Sequence, residues 1–121
     1  MRILICGDRR WQNFESIERV IHHLLLRYGR EGLEIVEGGG GKTDLTAASI
    51  CRMEQVAFHE YPAFWKLYGR AAGPIRNTRM LEAMKPDCVY AFHANLKKSK
   101  GTKDMVNQAR KKGIPVVLIK K

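Results

Sequence analysis

Four segments of the chain combine glycine with cationic or hydroxyl side chains in a way that suits a phosphate group. Gly7-Asp8-Arg9-Arg10-Trp11 sets a backbone-permissive residue beside a guanidinium able to grip phosphate with two parallel hydrogen bonds. Gly38-Gly39-Gly40-Gly41, followed by Lys42-Thr43-Asp44, lets a ligand approach backbone N–H groups at an expected helix start. Ser99-Lys100-Gly101-Thr102 repeats that arrangement. Gly73-Pro74-Ile75-Arg76-Asn77 puts Arg76 and Asn77 in the first turn of a further expected helix, where a cation is mildly unfavourable unless it serves a ligand.

Each segment also has a plainer use. The arginines could be solvated, the glycines could form a flexible turn, and Thr102 could simply cap its helix. Four consecutive glycines nevertheless cost much ordering entropy if they do nothing. Gly41-Lys42-Thr43 looks like the end of a P-loop, but Val36 stands where that motif needs its first glycine, so a P-loop ATPase is rejected. His22 and His23 are adjacent and diverge on a helix, and His59 and His93 stand singly, so no metal site is expected. Cys6 and Cys88 lie in apolar runs and read as core, and no serine sits in a nucleophile elbow. Phe64, Trp65 and Tyr68 could stack on a base or pack into the core.

The elements that must hold these segments alternate. Short apolar runs at Arg2 to Cys6, Leu33 to Val36, Gln55 to Glu60, Asp87 to Phe92 and Ile114 to Ile119 read as strands. Between them, Ile17, Val20, Ile21, Leu24 and Leu25 mark one face of a helix over 14–28 that Gly29 stops. Further helices are expected from Thr43 or Asp44 to Glu54, from Pro74 to Met84 and from Thr102 to Lys112, with Tyr61 to Gly73 as an irregular loop and candidate lid. Strands alternating with helices specify an α/β fold: a single Rossmann-like three-layer domain over 1–121 with a mostly parallel five-stranded sheet. Ligands of such sheets bind outside the carboxyl ends of the strands, so the loops after strands one, two and four matter most.

With 22 Lys plus Arg against 12 Asp plus Glu, the net charge of +10 calls for an anionic partner, either a small phosphorylated ligand or nucleic acid. The apolar runs are too short for a membrane span, and the odd, scattered cysteines fit a reducing cytoplasm better than a disulfide framework.

Gly7-Asp8-Arg9, the glycine turn ending in Thr43-Asp44, Pro62-Ala63-Phe64-Trp65, Gly73-Pro74-Ile75-Arg76-Asn77 with Met80, Ala91-Phe92, Ser99-x-Gly101-Thr102 and Gly113-Ile114-Pro115-Val116 together resemble the YspA-type, cpYpsA-related SLOG family of bacteria and phages. That family belongs to a superfamily with the cytokinin-activating LOG phosphoribohydrolases and the DNA-processing protein DprA. The resemblance implies a Rossmann-like fold and a pocket for nucleotides or their derivatives, with NAD or ADP-ribose derivatives among the ligands to test, and homodimers as in relatives. It implies no reaction. The LOG motif ends in a catalytic Glu, and Met105 stands at that position here, with Asp104 one residue off. Gly40-Gly41-Lys42 replaces the family's usual Ala-x-Gly-Ala.

The expected function is therefore a sensor, sequestering protein or nucleotide-processing enzyme that cleaves an N-glycosidic or phosphate-ester bond, with Asp44, Glu37 and Asp104 as candidate acids. The expected ligand-binding residues are Gly7, Arg9, Gly38, Gly39, Gly40, Thr43, Asp44, Trp65, Arg76, Asn77, Ser99, Gly101 and Thr102. The alternative is a basic nucleic-acid-binding module that uses Lys97-Lys98-Ser99-Lys100 and Arg110-Lys111-Lys112.

Overall fold

The structure, a computed structural model, describes all 121 residues. β1 (Arg2–Gly7) is followed by α1 (Phe14–Tyr28), β2 (Glu34–Glu37), α2 (Lys42–Glu54), β3 (Ala57–Glu60), α3 (Trp65–Tyr68), α4 (Ala72–Met84), β4 (Cys88–Phe92), α5 (Gly101–Lys111) and β5 (Val116–Ile119). Short 3-10 turns at Gly69–Ala71 and Leu96–Lys98 precede α4 and α5. The five strands form one sheet in the order β3-β2-β1-β4-β5, and every pairing is parallel.

Both faces of the sheet are covered, and alternation along β1 shows how. Ile3 and Ile5 point into a cluster with Ile17, Ile21 and Leu24 of α1 and Ala47, Ile50 and Cys51 of α2. Leu4 points the other way, onto Met80, Leu81 and Met84 of α4 and Met105 and Ala109 of α5. Each large aliphatic side chain buried this way contributes about 1.5–3 kcal/mol of transfer free energy. The two layers leave α1 and α2 on one face and α4 and α5 on the other, so chain direction across the sheet reverses between β1 and β4. A crevice must open there.

Three expectations change. Tyr61 to Gly73 is not irregular throughout: it contains α3 and the turn at Gly69–Ala71. α4 begins at Ala72 rather than Pro74, and Pro74 is its third residue. The first four N–H groups of a helix have no partner inside it, so proline is tolerated there and does not mark the start. Arg76 and Asn77 consequently lie in the second turn, and the unfavourable first-turn position expected for Arg76 does not arise. α2 starts at Lys42, with Gly41 at the cap and neither Thr43 nor Asp44 outside the helix.

Candidate functional site

A cleft of about 650 Å³ opens at the carboxyl ends of β1, β2 and β4. Five cations line it, Arg9, Arg10, Arg76, Lys98 and Lys100, against two carboxylates, Asp8 and Asp44. Low-dielectric walls focus such a field on an anion.

The loop after β1 and the turn after β2 are tied into one unit. The Thr43 hydroxyl donates to the Asp8 carbonyl at 2.8 Å, and the Lys42 amide donates to the Arg9 carbonyl at 3.0 Å. Gly7 and Gly41 are required for this approach. A Cβ on Gly7 would lie 2.4 Å from the Phe92 carbonyl oxygen, and one on Gly41 would lie 2.5 Å from the Arg9 Cα. Asp8 holds the loop by accepting from the Arg10 amide at 2.9 Å.

The Arg76 guanidinium reaches across from α4. Its Nη1 donates to the carbonyls of Gly38 at 2.9 Å and Tyr61 at 3.3 Å, and its Nε donates to Asn77 Oδ1 at 2.9 Å. Arg76 is thus a brace of the glycine turn as well as a wall of the cleft. Asn77 is buried, and its amide donates to the Gly101 carbonyl at 3.2 Å and to Asp104 Oδ2 at 3.0 Å. It welds α4 to the start of α5, and its NH2 hydrogens are spent on protein. On the α5 side Lys100 is the cap residue, and Ser99 Oγ before it accepts from the Thr102 amide at 3.0 Å, so the side chain that satisfies a first-turn amide is that of Ser99, not Thr102. Space around Gly101 is open, with no atom within 4 Å of a Cβ built there.

Eleven of the expected residues therefore line one cleft: Gly7, Arg9, Gly38, Gly40, Asp44, Trp65, Arg76, Asn77, Ser99, Gly101 and Thr102. Gly39 and Thr43 do not. Gly39 turns its Cα toward Glu60 with φ of 67°, a left-handed conformation that glycine adopts freely, and Thr43 is buried with its hydroxyl committed to Asp8. Of the three aromatics only Trp65 lines the cleft, half exposed, whereas Phe64 lies under the Arg79 guanidinium at 5.7 Å.

Sequence reasoning missed several lining residues. His93, Ala94 and Asn95 follow β4 directly, so the rule that ligands gather at strand ends by the switch point could have found them. Cys6 was expected in the core. It does pack against the Leu4, Met80 and Met105 cluster, and it also lines the cleft at the end of β1, where burial, helped by the Asp44 charge, pushes its thiol up.

No family model matches the chain. It is 34% identical over 121 residues to the Gene 61 protein of Mycobacterium phage D29, which covers 96% of this chain and 94% of that protein. The chain belongs to the family of phage Gene 61. The X-ray structure of DNA processing protein A (DprA) from Streptococcus pneumoniae matches 98% of the chain with a TM-score of 0.56 at 16% identity. The match takes up 59% of the DprA chain. What the two share is a Rossmann-like fold.

In this member of the Gene 61 family the three candidate acids occupy different settings. Glu37 is fully buried behind the glycine turn, where its Oε2 accepts from the Gly39 amide at 2.7 Å and its Oε1 has no partner. Burial, with help from Glu60 opposite it on β3 and the Asp44 charge, pushes its carboxyl up to about 9, against the pull of the Gly39 amide. Asp104 is engaged by Asn77 and by Gln108 at 2.8 Å and lies outside the cleft lining. Asp44 alone faces the cleft. Its Oδ2 accepts from the Gly40 amide at 3.0 Å, its Oδ1 has no partner, and burial pushes its carboxyl up against the pull of that amide and of the Arg76 and Arg9 charges. No helix is long and apolar enough to cross a membrane.

Proposed function

We propose that the cleft binds a nucleotide or nucleotide-derived phosphate ligand and that the protein acts as a sensor, sequestering protein or nucleotide-processing enzyme. The observation that carries this reading is the meeting of four separate chain segments around one cleft, each bringing a glycine and three of them a cation, with an excess of positive charge. Its volume falls in the range of small-molecule sites. The YspA-type SLOG resemblance of the same segments favours the same ligand class, with Arg9, Arg10, Lys98 and Lys100 as the cations that draw the anionic ligand into the cleft and Trp65 as the stacking surface for a base. If a reaction occurs, Asp44 is the acid placed to take part.

The test is thermal shift with ADP-ribose, NAD, nucleoside monophosphates and cyclic dinucleotides. A ligand at a hundred times its dissociation constant stabilises the folded state by about 2.7 kcal/mol, which is readily seen as a rise in Tm. No rise with any of them would overturn the proposal.

A second reading, a nucleic-acid-binding module, has its own observation. Lys97, Lys98 and Lys100 before α5 and Arg110, Lys111 and Lys112 at its other end are exposed, and the chain shares its fold with a protein named for DNA processing. It predicts DNA affinity that falls steeply with salt and drops when those lysines are neutralised. Binding indifferent to both would retire it.

A further inference from the structure

The glycine turn after β2 contains a carboxylate where an anion site would be expected. Around Gly40, Asp44 Oδ2, Arg9 Nη1 and Arg76 Nη1 all lie within 4.0 Å of the point a Cβ would occupy, at 3.6, 3.8 and 4.0 Å. Asp44 therefore takes the place of a bound anion at the start of α2: its negative charge sits in the first turn, and its oxygen accepts from the Gly40 amide. A phosphate seated there would face that charge at close range. Neither arginine neutralises Asp44 through a direct ion pair. A carboxylate has about four acceptor sites; here the Gly40 amide takes one, the Gly38 amide also draws on the group, and Oδ1 is buried without a hydrogen-bond partner in the wall of a basic cleft.

We propose that Asp44 is the specificity residue for the ribose of the ligand, accepting hydrogen bonds from its vicinal hydroxyls, so that the phosphate lies at the opposite, α5 side of the cleft. This rests on the nucleotide reading above and adds a direction to it. The α5 side has the complementary character: Lys98 and Lys100 are exposed, Gly101 is open, and no carboxylate lines the cleft there. A ligand laid across the cleft then meets an acceptor at one end and donors at the other, and a compound with phosphate but no hydroxyls loses half of its recognition.

The experiment is calorimetric titration of the wild-type protein and of Asp44→Asn with AMP, GMP, CMP and UMP and with the 2′,3′-dideoxy form of each, alongside inorganic pyrophosphate. Asn keeps the shape and can still accept from the Gly40 amide, but it carries no charge and turns a donor toward the cleft. The wild type should bind its preferred ribonucleotide roughly tenfold or more tighter than the dideoxy form, as expected for loss of a hydrogen bond to a charged group. Asp44→Asn should lose that preference and bind pyrophosphate more tightly than the wild type, with Tm showing that it remains folded. A wild type that binds nucleotides without distinguishing the dideoxy forms, or an Asn variant that keeps the distinction, would overturn the assignment of Asp44 and leave the nucleotide reading standing. Failure of all eight nucleotides to bind the wild type would overturn the assignment of Asp44, and failure of ADP-ribose, NAD and cyclic dinucleotides as well would overturn the nucleotide reading with it.

Discussion

The two glycine-bearing junctions that face each other across the cleft, the turn after β2 and the loop before α5, look alike in sequence and differ in structure. The β2 turn is filled by the protein itself. Arg76 holds the Gly38 carbonyl, Asp44 holds the Gly40 amide, and a Cβ on Gly38 would lie 2.2 Å from Arg76 Nη1. The α5 junction is open, with only Ser99 folded back onto the Thr102 amide. A glycine-rich turn is thus no measure of ligand contact. Gly7, Gly38, Gly39 and Gly41 are there because the chain's own atoms crowd them or because φ is positive, whereas Gly40 and Gly101 have room to spare.

That contrast can be broken by substitution, and the largest effect belongs to the crowded positions. Gly41→Ala drives a methyl group into the Arg9 backbone and should cost about 3 kcal/mol or more, read as a lower urea midpoint. Arg76→Ala comes next. It removes donors to Gly38, Tyr61 and Asn77, and it should cost about 2 kcal/mol while also weakening ligand binding.

The buried acid behind the turn gives a third, pH-dependent effect. Between the ordinary value of 4.5 and about 9, the folded chain keeps a proton on Glu37 that the unfolded chain has released. Stability from this group is therefore full at acid pH, falls as pH rises through that window, and levels off above it. Glu37→Gln imitates the protonated form, so its urea midpoint should depend less on pH and exceed that of the wild type at pH 8 by an amount worth at least about 1 kcal/mol.

The smallest effect on stability sharpens the comparison most. Gly40 has no positive φ, and a methyl group there meets Asp44, Arg9 and Arg76 only at ordinary contact distances. Gly40→Ala should leave stability within about 0.5 kcal/mol of wild type, or raise it slightly by restricting the unfolded chain. In the same variant nucleotide affinity should fall at least roughly tenfold, because the methyl group occupies the point where three charged groups converge.

Much of this architecture was legible in the residues. Short apolar runs such as Ile3 to Cys6 mark strands buried on both faces, and the Ile17, Ile21 and Leu24 spacing marks the helix that covers one of them. The strand-end rule pointed to the loops that carry Arg9, Gly40 and Gly101, which line one cleft, whereas Arg76, singled out by a first-turn position it does not hold, reaches the same cleft from the second turn of α4. What stayed hidden has physical reasons. α3 has four residues and no buried face, so it leaves no periodic signal. Gly73-Pro74 reads as a breaker although the helix has already begun two residues before the proline. The roles of Thr43 and Asn77, one closing β1 onto α2 and the other α4 onto α5, depend on partners 35 and 24 residues away, which no local pattern encodes.

The central claim is that these loops form one ligand site, and amide chemical-shift mapping on the ¹⁵N-labelled protein tests it most directly. Titration with the nucleotide that raises Tm most should move the amides of Gly7 to Arg10, Gly40, Gly41 and Lys98 to Thr102 together, with one common saturation curve. Shifts confined to Arg110, Lys111 and Lys112, with the cleft amides unmoved, would contradict it.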